Sequence, residues 1–156
     1  MSKASLYRSL APDRRVALVQ HAITNHKGAR AMYAQRLVAR GGGFRAATLM
    51  TWPVDRLAKE VVRLNAESAQ DELELLQLLY VDLEPGIQIT FLDAAGVAHE
   101  NGVMPEGLEP PYAAPDAVAK GAAAVLEGHG EAGAHYLQVL VRYALAAWPG
   151  LDTKVG

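Results

Sequence analysis

"EPGIQITFLDAAGVAHENG", residues 84–102, decides the fold class of this 156-residue chain. Taken as strands, Ile87, Ile89 and Phe91 alternate, and "DAAG" supplies a hairpin turn. Taken as a helix, Pro85 opens it, Ile87, Phe91 and Ala95 share a face, and Gly96 ends it in a left-handed cap. The second strand of the hairpin, "VAHENG", would be polar and poor in β-branched residues. A lone hairpin is also marginally stable unless it packs on helices. The helix is therefore the better reading and all-α the expected class. A mainly helical fold with one β-hairpin near 87–103 is the alternative.

Composition points the same way. Twenty-eight residues are alanine and two are phenylalanine. Alanine has the highest helix propensity and lets helices approach closely. Half the residues are hydrophobic and 21% are charged, the balance of a globular protein with a core of its own. The expectation is one globular domain over 1–156, a bundle or short solenoid of six to seven helices.

The helices can be placed from their starts and stripes. Pro12 and Asp13 suit the first turn of a helix over 12–25, with Val16, Val19 and Ile23 on one face. A second helix over 28–40 carries Ala29, Met32, Tyr33 and Leu37 and stops at "GGG", 41–43. Residues 44–50 read as a short helical piece. Thr51 is a candidate cap for the next helix, with Pro53 in its first turn and Val54, Leu57, Val61 and Leu64 as its stripe. Ser68 is a candidate cap for a helix whose face is Leu73, Leu76, Leu79, Tyr80 and Leu83. Leu75 and Leu78 widen that face, which predicts a central helix buried on most sides. Residues 103–113, with three prolines, form a loop. The last two helices run from Pro115 to about Glu127, broken by "GHG" at 128–130, and over 131–147. Val118, Ala122, Val125, Leu126, Tyr136, Leu137, Leu140 and Ala144 are the inward set.

Three of these starts resemble one another: Pro12-Asp13, Pro53-Val54-Asp55 and Pro115-Asp116. Each is followed after 23 or 24 residues by a glutamine in a second helix, Gln35, Gln77 and Gln138. The pairs 12–40, 53–83 and 115–147 are candidates for three αα-hairpins, the first interval falling in the range of helical repeats. Pro followed by Asp is also simply a good helix start, which accounts for much of the match.

The net charge of −2 hides an asymmetry. Residues 1–63 hold twelve Lys/Arg against three Asp/Glu, a net of +9; residues 64–156 hold three against fourteen, a net of −11. One interpretation is a basic face for nucleic acid, with Arg14, Arg15, Arg30, Arg36, Arg40 and Arg45 as candidate anion-binding residues. The other is that opposite charges meet within the fold or between two copies.

Motifs for chemistry are few. The absence of cysteine excludes disulfides, thiolate metal sites and cysteine nucleophiles, and fits a cytoplasmic protein. The N-terminus lacks the apolar run of a signal peptide, and no apolar stretch reaches the length of a membrane span. None of the four serines lies in a nucleophile elbow, and "ARGGGFR" lacks the spacing and Lys-Ser/Thr of a phosphate loop. His21 and His26 are about 140° apart around a helix and cannot easily share a metal. Glu131 and His135 would share a face, but the other helices offer no matching inward set, so no metal or cofactor is expected. "LLQLL", 75–79, has the spacing of some docking helices but lies in a leucine-rich core stripe. His99, Glu100 and Asn101 form the most compact polar cluster and the candidate site for acid–base work. Together these features favour a protein-interaction or scaffold module, acting on a partner protein or on a second copy. Nucleic-acid binding, and an enzyme or small-ligand protein with its site at His99 and Glu100, are the alternatives.

Overall fold

A computed structural model describes residues 5–41, 43–67 and 71–155. The described residues are all-α, with no strand among them. Among the described residues are eight α-helices: α1 Pro12–Asn25, α2 Ala29–Ala39, α3 Ala46–Leu49, α4 Val54–Arg63, α5 Glu72–Gln77, α6 Pro85–Ala95, α7 Pro115–Ala144 and α8 Asp152–Val155. Contacts divide the chain into two compact units, Met1–Leu78 and Leu79–Gly156.

In the N-terminal unit α1 packs chiefly on α4, and α2 on α3 and α4. Leu18, Val19 and Ala22 supply the buried stripe of α1, and Leu57, Ala58, Val61 and Val62 that of α4. Each fully buried leucine contributes roughly 1.5–3 kcal/mol. Val16 and Met32, expected inside, are only half-buried, and Leu18 takes the place expected of Val16. Pro12 stands at the first helical position of α1, where its missing N–H costs nothing. Pro53 instead precedes α4 as its cap residue, and Thr51 does not cap it. The Thr51 hydroxyl donates to the Thr48 carbonyl at 2.7 Å, one turn back. Ser68 lies outside the described residues.

The helix expected through Leu83 is α5 followed by a π-helical run, Leu78–Leu83. Widening from 3.6 residues per turn rotates the stripe. Leu75, Leu76, Leu79 and Tyr80 are buried, but Leu73 and Leu83 stand outward at 38% exposure, so this helix is not buried on most sides.

In the C-terminal unit α6 packs along α7. The 84–102 segment is the helix, with Pro85 at its first position and Ile87, Phe91, Leu92 and Ala95 buried. Gly96 terminates it in the left-handed conformation (φ 72°, ψ 25°). The Gly96 N–H donates to the Asp93 carbonyl and the Val97 N–H to the Leu92 carbonyl, a Schellman closure with Val97 buried behind it. All that remains of the hairpin is one bridge, Glu100 to Val103, around Asn101 and Gly102. Both have positive φ, 53° and 88°, the signature of a two-residue type I′ turn.

Helix α7 consists of two helical arms joined by a kink at Gly130, whose φ of 54° and ψ of −127° belong to glycine alone. The expected break thus falls on the last residue of "GHG". After it the chain folds back: a β-carbon on Gly133 would sit 2.5 Å from the Val125 carbonyl oxygen. Gly121 plays the same part towards α6, with the Phe91 ring and carbonyl 3.0 Å from where its β-carbon would be. Leu126, expected inside, is 41% exposed because the fold-back is made by the Val125 face. A 3₁₀ turn, Leu145–Ala147, ends the helix where 131–147 was expected to run on as one.

Candidate functional site

Three places bear on function, each inside one unit. In the N-terminal unit three of the six candidate anion-binding arginines, Arg15, Arg30 and Arg36, are engaged within the fold. Arg15 is buried; its guanidinium reaches the Glu67 carboxylate at 3.1 Å and the Asn65 side chain at 2.9 Å, and lies over the Tyr7 ring. Glu67 is itself 1% exposed, so this is a buried ion pair. Arg36 pairs with Asp71 through both terminal nitrogens and stacks over Tyr33. Arg30 donates to the Trp52 carbonyl at 2.7 Å and to that of Met50. Arg14 is half-buried, and Arg40 and Arg45 are exposed. The local reason is periodicity: Arg15 falls on the stripe that also carries Leu18, Val19 and Ala22, and a buried guanidinium needs a carboxylate. Burial pushes the Tyr7 phenol up, and the Glu67 carboxylate beside it pushes further.

The second place is the turn after α6. It brings His99, Glu100 and Asn101 together beside a shallow cleft of about 580 Å³. His99 is spoken for on both sides. Its Nδ1 accepts the Gly102 N–H at 3.0 Å, which puts a neutral ring's proton on Nε2, 2.5 Å from the Asp93 carboxylate. With Gln88 donating to the Gly102 carbonyl, the ring is a post that holds the tight turn. A general base needs a lone pair facing substrate, and neither nitrogen offers one here.

The third place is a groove of about 400 Å³ in the C-terminal unit, a size common for ligand sites. Tyr112, Tyr136, Tyr143 and Trp148 line it, with Leu92, Leu140 and Met104 between them, and Gln88 is its one amide. None of the described residues that line it is charged. Two of these rings, Tyr136 and Trp148, belong to a buried aromatic stack: Tyr80 on Tyr136, Tyr136 on Phe91, and Phe91 edge-on to Trp148 at 4.9 Å, with Trp148 also against Tyr112. The Tyr112 N–H donates to the Ala147 carbonyl at 3.0 Å, which fastens the Pro-rich loop to the end of α7. Burial, and then the nearby Tyr80, raise the Tyr136 phenol, so it stays protonated. Sequence reasoning did not single out this site, because its residues are spread from 88 to 148 and each has a structural explanation. The available signal was that six of the ten aromatic residues follow position 79.

Among the described residues no group of three or more His, Asp or Glu is placed to hold a metal ion. No helix among them is long and apolar enough to cross a membrane. Compared with family models, curated proteins and solved structures, the chain matches none of them.

Proposed function

We propose that this protein is an interaction module that binds a partner protein through the groove of its C-terminal unit. The observation that carries this is the groove itself: uncharged walls with Tyr143 40% exposed and Tyr112 half-buried at its surface, backed by the buried rings of Tyr136 and Trp148. Tyrosine and tryptophan dominate binding hot spots because they give large, rigid contact area with a polar tip. The phosphate-binding alternative is weakened, since Arg15, Arg30 and Arg36 already have partners within the fold. The acid–base alternative is weakened by the engagement of both His99 nitrogens. A cytoplasmic setting fits the cysteine-free sequence.

The test compares proteins captured by the wild type and by a Tyr143→Arg variant, with folding checked by circular dichroism and copies of the chain itself counted among the partners. A partner held by the wild type and lost by the variant supports the reading. Identical capture by both overturns it.

A further inference from the structure

The groove's chemistry also specifies what it would accept. A ligand site for an anion carries Arg, Lys or backbone donors, and this one has no cationic lining residue. The unit around it is acidic, with three Lys/Arg against ten Asp/Glu over Leu79–Gly156, a net of −7. Two of those acids, Glu106 and Glu109, are exposed on the loop between Met104 and Pro110, and both of those residues line the groove. Glu106 follows Met104 by two residues and Glu109 directly precedes Pro110, so the backbone of each lies within about 8 Å of a lining residue. The one nearby cation in sequence, Arg142, is not a lining residue.

Aromatic faces carry negative potential and attract cations, most strongly where water is excluded. Apolar walls favour an alkyl stem, which lysine can bury while its ammonium stays near charge. An acidic rim raises the local concentration of a cationic partner. A neutral apolar group would use the walls alone, and a carboxylate or phosphate would be repelled by the rim.

Resting on the interaction reading, we propose that the groove seats a lysine side chain of a basic segment in the partner protein, its stem against Leu140 and Met104 and its ammonium against the rings of Tyr112 and Tyr143.

The experiment uses the full chain and two blocked pentapeptides. One has a central lysine flanked by leucines; the other has norleucine, which keeps the stem and lacks the ammonium. Binding is read from the indole N–H resonance of Trp148, assigned by its persistence in a Trp52→Phe variant. The lysine peptide should bind about three- to tenfold more tightly than the norleucine peptide. Tyr112→Leu and Tyr143→Leu should each reduce that preference and leave the norleucine peptide's binding nearly unchanged. Equal or tighter binding of the norleucine peptide overturns the cation preference, as does the absence of any Trp148 shift with either peptide at millimolar concentration. Either failure leaves the capture comparison with Tyr143→Arg to be judged separately. A capture that fails while the lysine preference holds would reject the partner-protein reading instead.

Discussion

Replacing Gly133 with alanine should destabilise the protein, while the same change at Gly128, on the other arm of α7, should stabilise it. A β-carbon at 133 would stand 2.5 Å from the Val125 carbonyl oxygen and 2.7 Å from Val125 Cγ1, where ordinary contact begins at 3.4 Å. The obstructing oxygen belongs to the backbone and cannot rotate away, so the two arms of α7 must separate by several tenths of an ångström. Overpacking of this kind costs roughly 1–3 kcal/mol. Alanine's better helix propensity offsets about 0.8–1 kcal/mol of that. The net loss is up to about 2 kcal/mol, or a fall in Tm of up to roughly 8 °C for a chain of this size. Gly128 has nothing within 4 Å of its added carbon. Gly128→Ala should therefore gain up to about 1 kcal/mol, raising Tm by roughly 2–4 °C. Thermal and urea unfolding, followed by circular dichroism and by Trp148 fluorescence, read both changes. A Gly133→Ala protein stabilised as much as the Gly128→Ala protein would refute the fold-back of 131–144 onto Val125.

Arg15→Leu should cost about 3–5 kcal/mol in urea unfolding, because it strands Glu67 in the core. The double replacement Arg15→Met, Glu67→Leu should recover most of that loss, since a buried pair is worth little against well-packed apolar residues. Tyr7, Tyr33 and Tyr136 all have phenols raised above the ordinary 10.0, chiefly by burial. The folded state holds those protons more tightly than the unfolded one. Their contribution is whole below pH about 10 and is lost as pH rises beyond it. Tyrosinate absorbance should show these three ionising only as the chain unfolds. His99→Leu should lower stability by about 1–2 kcal/mol through two lost hydrogen bonds, and should speed exchange of the Gly102 amide. Generic duplex DNA should bind weakly even at low salt. Arg36→Ala with Arg40→Ala should lower stability by about 0–1 kcal/mol, a change read in urea; micromolar, salt-sensitive DNA binding lost in that variant would revive the phosphate reading.

Local chemistry by itself determined the helical class and most helix ends. Pro12, Pro85 and Pro115 open helices because a missing N–H is harmless there, and Gly96 closes one because no β-carbon opposes positive φ. These preferences act within a turn or two, so they are legible without neighbours. His99, Glu100 and Asn101 are consecutive and line one shallow cleft. What His99 does there depends on the Asp93 carboxylate and the Gly102 N–H, and only the folded turn aims them at its two nitrogens.

Charge and glycine show the limit most clearly. Arg15 and Arg40 look alike in a basic segment. Tertiary packing buries one against Glu67, 52 residues away, and leaves the other exposed. Gly128 and Gly133 have the same intrinsic propensity and differ only in whether Val125 stands opposite. The groove joins Gln88, Tyr112 and Trp148 across α6, the Pro-rich loop and the end of α7. No periodicity marks such a set, because the distances that define it arise only when α6 and both arms of α7 close around Phe91.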